Sequence, residues 1–214
     1  MIKLTKGTEP TVLATNKTKW TSQLRLLQNA NQDVPKDLAT KYNQSEVKDA
    51  LRAESYSKCM YCESKVEHIS DLHIEHIKPK AKNRFPDLTF EYDNLGLACG
   101  VCNRNKSSTY DVTVPFINPY TDDPSTHFYS FGSSIWAKPG DNRAKLTENE
   151  IELNRAELIE ARGERLKTIR GMIESYHAEG NVTVKTSIKK QILLEIGKDK
   201  IYSFSCKSLV DFSI

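Results

Sequence analysis

Residues 72–80 read LHIEHIKPK, and this short stretch decides how the rest of the chain is interpreted. Apolar and polar residues alternate at its start, which is typical of a β-strand. Glu75 and His76 stand side by side near its end, and Pro79, which has no N–H to donate to a strand ladder, helps to end it. A carboxylate beside an imidazole at a strand end indicates a chemical site rather than ordinary packing.

Two CxxC pairs flank this stretch, with Cys59 and Cys62 before it and Cys99 and Cys102 after it. Two residues between thiolates let both sulfurs face one ion, and four such sulfurs form the closed tetrahedral site of structural zinc. The alternative interpretation is a redox pair or four buried free cysteines, which two separate pairs disfavour. Cys206 lies outside the pattern and is interpreted as a small buried apolar residue.

The composition predicts a cytoplasmic protein without membrane association. The chain has 214 residues, enough for one large domain, and 31 basic against 28 acidic residues give a net charge of +3. Contact with nucleic acid would therefore depend on a local basic patch. No apolar run is long enough to span a bilayer, and the start of the chain, MIKLTKGTEP, lacks the apolar core of a signal peptide.

The hydrophobic pattern predicts helices towards both ends and an irregular middle. An extended segment is expected through residue 17, a first helix near residues 20–27, and a second helix from Ser45. Further helices are expected over residues 148–178 and 187–196, followed by a strand or docking segment. We divide the chain into an N-terminal helical segment for partner docking (1–58), a zinc-stapled core (59–110), a loop-rich extension (111–147) and a C-terminal helical region for partner or nucleic-acid contact (148–214).

The order of polar residues in the core resembles the HNH endonuclease family, also called the His-Me finger or ββα-metal family. The resemblance rests on Glu75 and His76 in IEHIKPK, on Asn94 in YDNLGLACGVCNRNK, and on Asn103 and Lys106 after the last cysteine. It implies an α+β fold in which a ββα-metal finger with a zinc knuckle is flanked by N- and C-terminal helices. Aspartate is commoner in the family at the position of Glu75, and glutamate keeps the carboxylate while lengthening it.

Each of these residues receives an expected role. His76 is the expected general base, because histidine has an unperturbed pKa of roughly 6.5 and accepts a proton at neutral pH. The Glu75 carboxylate and the Asn103 side-chain oxygen are expected to bind a catalytic Mg²⁺ or Mn²⁺, since hard cations prefer oxygen ligands. By resemblance, Asn94 ties the connecting loop and fixes the histidine.

Substrate contacts are predicted at His73, Lys78, Arg104 and Lys106. Asn103 and Lys106 share a face if a helix begins near Asn103, and that helix start would then aim its N–H groups at a phosphate. His73 is interpreted as a metal ligand, a group behind the ligands or a substrate contact, and these alternatives stay open.

Three other histidines have no expected chemical role. They are interpreted as ordinary surface or core residues: His68, His127 and His177.

A closer resemblance to one HNH subfamily covers roughly half of the chain, from about residue 59 to residue 166. It is carried by CMYCE, FPDLTFEYDNLGLACGVCNRNK, INPYTDDPSTHFYSF and LTENEIELNRAELIEARGERL. The subfamily implies a DNA endonuclease that acts as an anti-phage effector, in some cases within retron systems, with an ABC-type ATPase as partner. The alternatives are the same chemistry on RNA such as tRNA, and a non-catalytic zinc module that binds nucleic acid. Catalytic residues that bind a phosphate read no base, so DNA and RNA both stay open.

The C-terminal region also carries a basic side. It comprises Asn154, Arg155, Arg162, Arg165, Lys167 and Arg170. One interpretation is a solvated helix face with i,i+4 pairs to neighbouring glutamates. The other is a surface that contacts phosphates or a partner.

Overall fold

The structure is a computed structural model that describes residues 1–65 and 72–214, so His68 lies outside the described residues. Its helices are α1 Thr11–Asn29, α2 Lys36–Ala39, α3 Ser45–Ser55, α4 Gly100–Lys106, α5 Pro124–His127, α6 Asn142–Glu150, α7 Ala156–Ala178, α8 Val182–Glu195 and α9 Ser203–Ser213. Its strands are β1 Leu72–His76, β2 Leu95–Cys99, β3 Phe128–Phe131 and β4 Ser134–Ala137. Within this described part, no helix combines the length and apolar character that crossing a bilayer demands.

The centre of the molecule is a ββα unit made of β1, β2 and α4. β1 and β2 pair antiparallel, with Glu75 opposite Gly96 and His76 opposite Leu95. Every residue of β2 is buried, as expected of a strand covered on both faces. α4 follows β2 without a linker and packs against both strands. The predicted α+β class with a central ββα finger is thereby confirmed.

The N-terminal helices cover one side of this unit. α1 buries Leu13, Trp20 and Leu24, which recur at helical spacing, and the Trp20 ring packs edge-on against Phe90 at 5.6 Å between centroids. The prediction of an extended chain through residue 17 is wrong, because Leu13 belongs to the same apolar face and the helix begins at Thr11.

The C-terminal helices contribute side chains to two clusters of buried apolar residues among the described residues. α7 contributes to both clusters. Leu158 packs in the first with the ββα unit, whereas Leu166 and Ile169 pack in the second with α8 and α9. Arg162 lies on α7 between these positions and has no exposed surface.

Two predictions for the C-terminal region are corrected by the structure. The helix expected over residues 148–178 is split, because Glu152 adopts a positive φ of 55° and the chain turns between α6 and α7. Asn154 stabilises the turn by accepting from the Ile135 N–H at 2.9 Å and donating to its carbonyl at 2.7 Å. The tail is a helix rather than the strand that was one of its two predicted forms, and α9 buries Cys206 and Val210.

Candidate active site and zinc centre

The four cysteines of the two CxxC pairs converge behind the ββα unit. Their sulfur atoms all lie within 4.8 Å of one another, and all four side chains are buried. The Sγ atoms of Cys62 and Cys99 are 3.9 Å apart. A tetrahedral site with Zn–S bonds of about 2.3 Å has sulfur–sulfur edges of about 3.8 Å, so the cluster is suited to zinc.

Arg155 lies against this cluster instead of in solvent. Its Nη1 is 3.6 Å from Cys102 Sγ, and its Nη2 is 4.0 Å from Cys99 Sγ. A zinc ion with four thiolates carries a net negative charge, which a nearby guanidinium compensates. The interpretation of the basic side as a solvated face is therefore wrong for this residue.

The start of α4 also faces the cysteines. Cys99 precedes the first helical residue, and its sulfur accepts from the Cys102 N–H at 3.5 Å. The helix begins at Gly100, so Asn103 lies in its second turn. The prediction of a helix start near Asn103 that aims its N–H groups at a phosphate is consequently wrong.

On the opposite side of the unit, His76 ends β1 and lines a cleft of about 490 Å³. Its Nε2 lies 3.0 Å from the Thr89 carbonyl oxygen. A carbonyl only accepts, so Nε2 carries the proton and Nδ1 is the basic atom of the ring. The Tyr42 ring packs edge-on against the imidazole at 4.6 Å, which fixes the ring from a second direction.

The electrostatic environment keeps His76 neutral. Burial lowers the pKa of His76 to about 3, and the nearby Lys80 charge acts in the same direction. Burial also lowers the pKa of Lys80, to about 8, and its ammonium donates to the Tyr42 hydroxyl. At neutral pH the imidazole therefore has a free lone pair on Nδ1.

Glu75 is buried next to His76 and forms an ion pair with Lys106. The Glu75 Oε1 and Lys106 Nζ atoms are 2.5 Å apart, and the same ammonium donates to the His76 carbonyl at 2.9 Å. Burial raises the pKa of Glu75 to about 7, against the opposing effect of Lys106.

The prediction that Lys106 contacts substrate is corrected by this placement. Its side chain has no exposed surface, and its ammonium binds the end of β1 from inside the molecule.

Asn94 ties the loop that follows β1. Its Oδ1 accepts from the Lys78 N–H at 2.8 Å, and its Nδ2 donates to the carbonyls of Lys78 and Leu88 at 3.0 and 3.1 Å. Its side chain is buried and is not among those that line the cleft. These contacts position the backbone two residues beyond His76.

The remaining predicted site residues lie in or beside the cleft. Asn103 and Arg104 line it, and Asn103 Nδ2 is 3.5 Å from Nδ1 of the exposed His73. His73 and Glu75 share one face of β1, since side chains alternate along a strand. Lys78 is exposed beside the cleft, with its ammonium 5.7 Å from the centroid of the Phe85 ring.

The donor chemistry of the cleft fits a hard divalent ion. The Glu75 carboxylate and the Asn103 carboxamide are both in its lining. Mg²⁺ keeps several waters and needs only one or two such protein ligands. The imidazole of His73 is a further donor at the edge of this group.

Three groups of the site were not identified from the sequence. Tyr42 comes from the segment before α3, far from the motif along the chain, so no local pattern indicated it. Thr89 contributes its backbone carbonyl, which any residue supplies. Lys80 stands inside the quoted stretch, four residues after His76, and its proximity along the chain was an available signal.

Comparison with known proteins defines the class of this site. A family model described as HNH endonuclease matches residues 59–109, which hold both CxxC pairs, β1, β2 and α4. The chain therefore carries an HNH endonuclease domain and is an endonuclease by class.

Two relatives extend the similarity beyond that domain. Septu protein PtuB of Bacillus thuringiensis is 28% identical to this chain, over 98% of the chain and 82% of the relative. Septu protein PtuB of Bacillus mycoides (strain KBAB4) is also 28% identical, over 60% of the chain. That alignment spans only 53% of the second relative, about half of its length.

Proposed function

We propose that this chain is a metal-dependent DNA endonuclease that acts as an effector of anti-phage defence of the Septu type. The observation that carries the nuclease chemistry is the His76 ring, bonded through Nε2 to the Thr89 carbonyl so that Nδ1 is the basic atom, in a cleft shared with Glu75 and Asn103. Similarity to two Septu PtuB proteins supports the defence role.

The proposed mechanism assigns the proton transfer to His76. Its Nδ1 accepts a proton from the attacking water, while the Thr89 carbonyl keeps Nε2 protonated and the ring oriented. Glu75 and Asn103 would hold a divalent ion, which when bound supplies charge stabilisation to the phosphate and the leaving oxygen. Lys106 holds Glu75 in place, and Asn94 holds the loop beyond His76.

A cleavage assay tests the chemistry and the substrate together. The purified chain is incubated with single-stranded DNA, duplex DNA and RNA, each with Mg²⁺ or Mn²⁺. We expect cleavage of DNA that needs the added ion. Cleavage of RNA alone would identify the alternative substrate, and metal-independent binding without cleavage of any strand would identify a non-catalytic module.

The role of Asn103 in metal binding is tested by titrating the ion in the same assay. We expect Asn103→Ala to need a higher concentration of Mg²⁺ or Mn²⁺ for half-maximal rate and to be partly rescued at high concentration. An unchanged metal dependence would contradict a ligand role for this side chain.

We further propose that the nuclease works with an ABC-type ATPase, as the subfamily resemblance implies. A net charge of +3 favours only weak binding to a nucleic-acid backbone by the chain alone. A partner would then supply both binding surface and control. Co-expression, size-exclusion chromatography and cleavage with and without the ATPase test this, and unchanged elution volume and rate would contradict it.

A further inference from the structure

A second cavity adjoins the active-site cleft. Its volume is about 660 Å³, against about 490 Å³ for the cleft that holds His76. Ser108 lines both cavities, so the two adjoin at this residue. A strand bound with a phosphodiester at His76 would pass into the second cavity within a short distance.

One wall of this cavity is a stripe of helix α6. Asn142, Leu146 and Asn149 line it at i, i+4 and i+7, which places them on one helix face. The two carboxamides are exposed and make no hydrogen bond to any side chain or backbone group in the described part of the chain. The wall therefore offers free amide donors and acceptors on either side of an apolar patch.

Aromatic and apolar side chains from outside α6 also line the cavity. They are Tyr110 and Val114, and the Tyr110 ring is held edge-on against Phe85 at 5.3 Å between centroids. A flat apolar face such as that of a nucleobase stabilises binding when it covers half-buried aromatic and apolar side chains. A hydrated phosphate offers no such apolar surface.

The charges around the cavity place a phosphate at its rim. Arg84 lines the cavity and is exposed, and its guanidinium donates to the Tyr110 carbonyl at 3.4 Å without forming an ion pair within residues 1–65 and 72–214. Arg104, which lines the neighbouring cleft, also lacks a carboxylate partner within those residues. Asp111 also lines the cavity and carries a carboxylate that repels a phosphate, whereas the other cation of the lining, Lys145, is paired with Glu148 at 2.9 Å.

We propose that this cavity binds one unpaired nucleotide next to the scissile phosphodiester, with its base between Tyr110 and the α6 stripe and its phosphate on Arg84. This inference rests on the proposed nuclease function. The nucleotide is unpaired because a concave pocket admits a base only when that base leaves the stack. The substrate class is thus a single strand, or a strand with a loop or frayed end.

The test compares the double variant Asn142→Ala/Asn149→Ala with the control Asn29→Ala, an exposed asparagine at the end of α1. We expect the double variant to raise KM about 25-fold on single-stranded or looped substrates, since each of the two lost hydrogen bonds costs on the order of fivefold in affinity. KM on fully paired duplex and the melting temperature should not change. An unchanged KM on unpaired substrates, or an equal rise on duplex, would overturn the inference.

A binding measurement separates this inference from the nuclease proposal. Short fluorescein-labelled single strands of DNA and RNA are titrated with the His76→Ala protein, with and without the asparagine substitutions, by fluorescence anisotropy. We expect the two substitutions to weaken binding about 25-fold, on the same hydrogen-bond basis. If the wild-type chain cuts nothing but this difference is seen, the cavity is a nucleotide site and the nuclease proposal alone fails. Equal binding by both proteins contradicts the cavity assignment.

Discussion

At the scale of single residues, hydrogen bonds between side chains and backbone groups decide the chemistry of the site. The Thr89 carbonyl selects the His76 tautomer, and the Asn94 side chain holds the backbone of Lys78. Lys106 is bound between the Glu75 carboxylate and the His76 carbonyl. Around the motif, some side chains face the cleft, and others hold those side chains and their backbone in position.

The expected effect of His76→Ala is a loss of cleavage in a folded protein. A well-placed general base contributes about 100- to 10,000-fold to the rate, so kcat should fall within that range. The control is His177→Ala, which changes an exposed histidine far along the chain from the motif. Rates are measured on the best substrate of the cleavage assay, with circular dichroism as the check on folding. Cleavage at the wild-type rate by a folded His76→Ala protein would contradict the assignment of His76 as the general base.

Removal of Lys106 tests its role inside the molecule. Lys106→Met leaves the Glu75 carboxylate buried without its cation, and breaking a buried pair in this way costs about 3–5 kcal/mol of unfolding free energy. The double variant Glu75→Gln/Lys106→Met removes both charges and should recover part of that loss. Both values come from urea unfolding curves. If Lys106→Met is as stable as the wild type, the ion pair has no structural role.

At the scale of elements, the cysteine cluster links the segment before β1 to the end of β2 and the start of α4. Cys59 and Cys62 come from that segment, Cys99 ends β2, and Cys102 lies in α4. A backbone bond from the Met60 N–H to the Leu97 carbonyl at 2.8 Å joins the same two elements. The cluster therefore adjoins β2, the strand that pairs with the strand carrying His76.

Loss of one sulfur should disrupt this link. Structural zinc contributes on the order of 10 kcal/mol to the folding of small domains, so Cys99→Ser should lose zinc and become unstable or insoluble. Cys206→Ser is the matched control, because Cys206 is buried in the second apolar cluster, away from the other sulfurs. Zinc per chain is measured by elemental analysis of freshly purified protein. A full zinc content in soluble Cys99→Ser protein would contradict the four-sulfur site.

At the scale of the whole molecule, α7 joins the nuclease core to the C-terminal helices. Its basic residues have different environments along its length. Arg162 is fully buried and donates to the Ser133 carbonyl at 3.2 Å, and Arg165 pairs with Glu195 at 2.6 Å. Arg170 is exposed. Neither interpretation of the basic side, a solvated face with i,i+4 pairs or a contact surface, fits the buried Arg162, and Arg165 pairs with a residue of α8 instead of an i,i+4 neighbour.

Charge reversal at two of these positions should separate stability from binding. Arg162→Glu places a carboxylate in the core, and an unpaired buried charge costs several kcal/mol, so the protein should unfold or become insoluble. Arg170→Glu should keep the wild-type melting temperature, because its side chain is exposed. Thermal unfolding measures both. A folded Arg162→Glu protein would contradict the buried position, and reduced co-elution of Arg170→Glu with the ATPase would map the docking surface.

Local sequence patterns were sufficient to predict the centre of this protein. The CxxC spacing predicted the sulfur cluster, and the resemblance of the segment with Glu75, His76 and Asn103 to the HNH family implied the ββα unit. Such predictions succeed because the residues concerned are close along the chain and their chemistry limits what each can do. The helix start at Thr11 and the turn at Glu152 were missed, because long-range packing and a bridging side chain decide them.

What only the tertiary structure decided is which polar side chains face solvent. By sequence alone, Lys106 and Arg104 are equivalent candidates for a phosphate, and so are Arg162 and Arg170 on α7. Folding buries Lys106 and Arg162 and leaves Arg104 and Arg170 exposed. The sequence determined the chemistry that this protein has available, because that depends on residue types and short spacings. The tertiary structure decided where the chemistry is used, since the burial of a charge depends on elements that are distant along the chain.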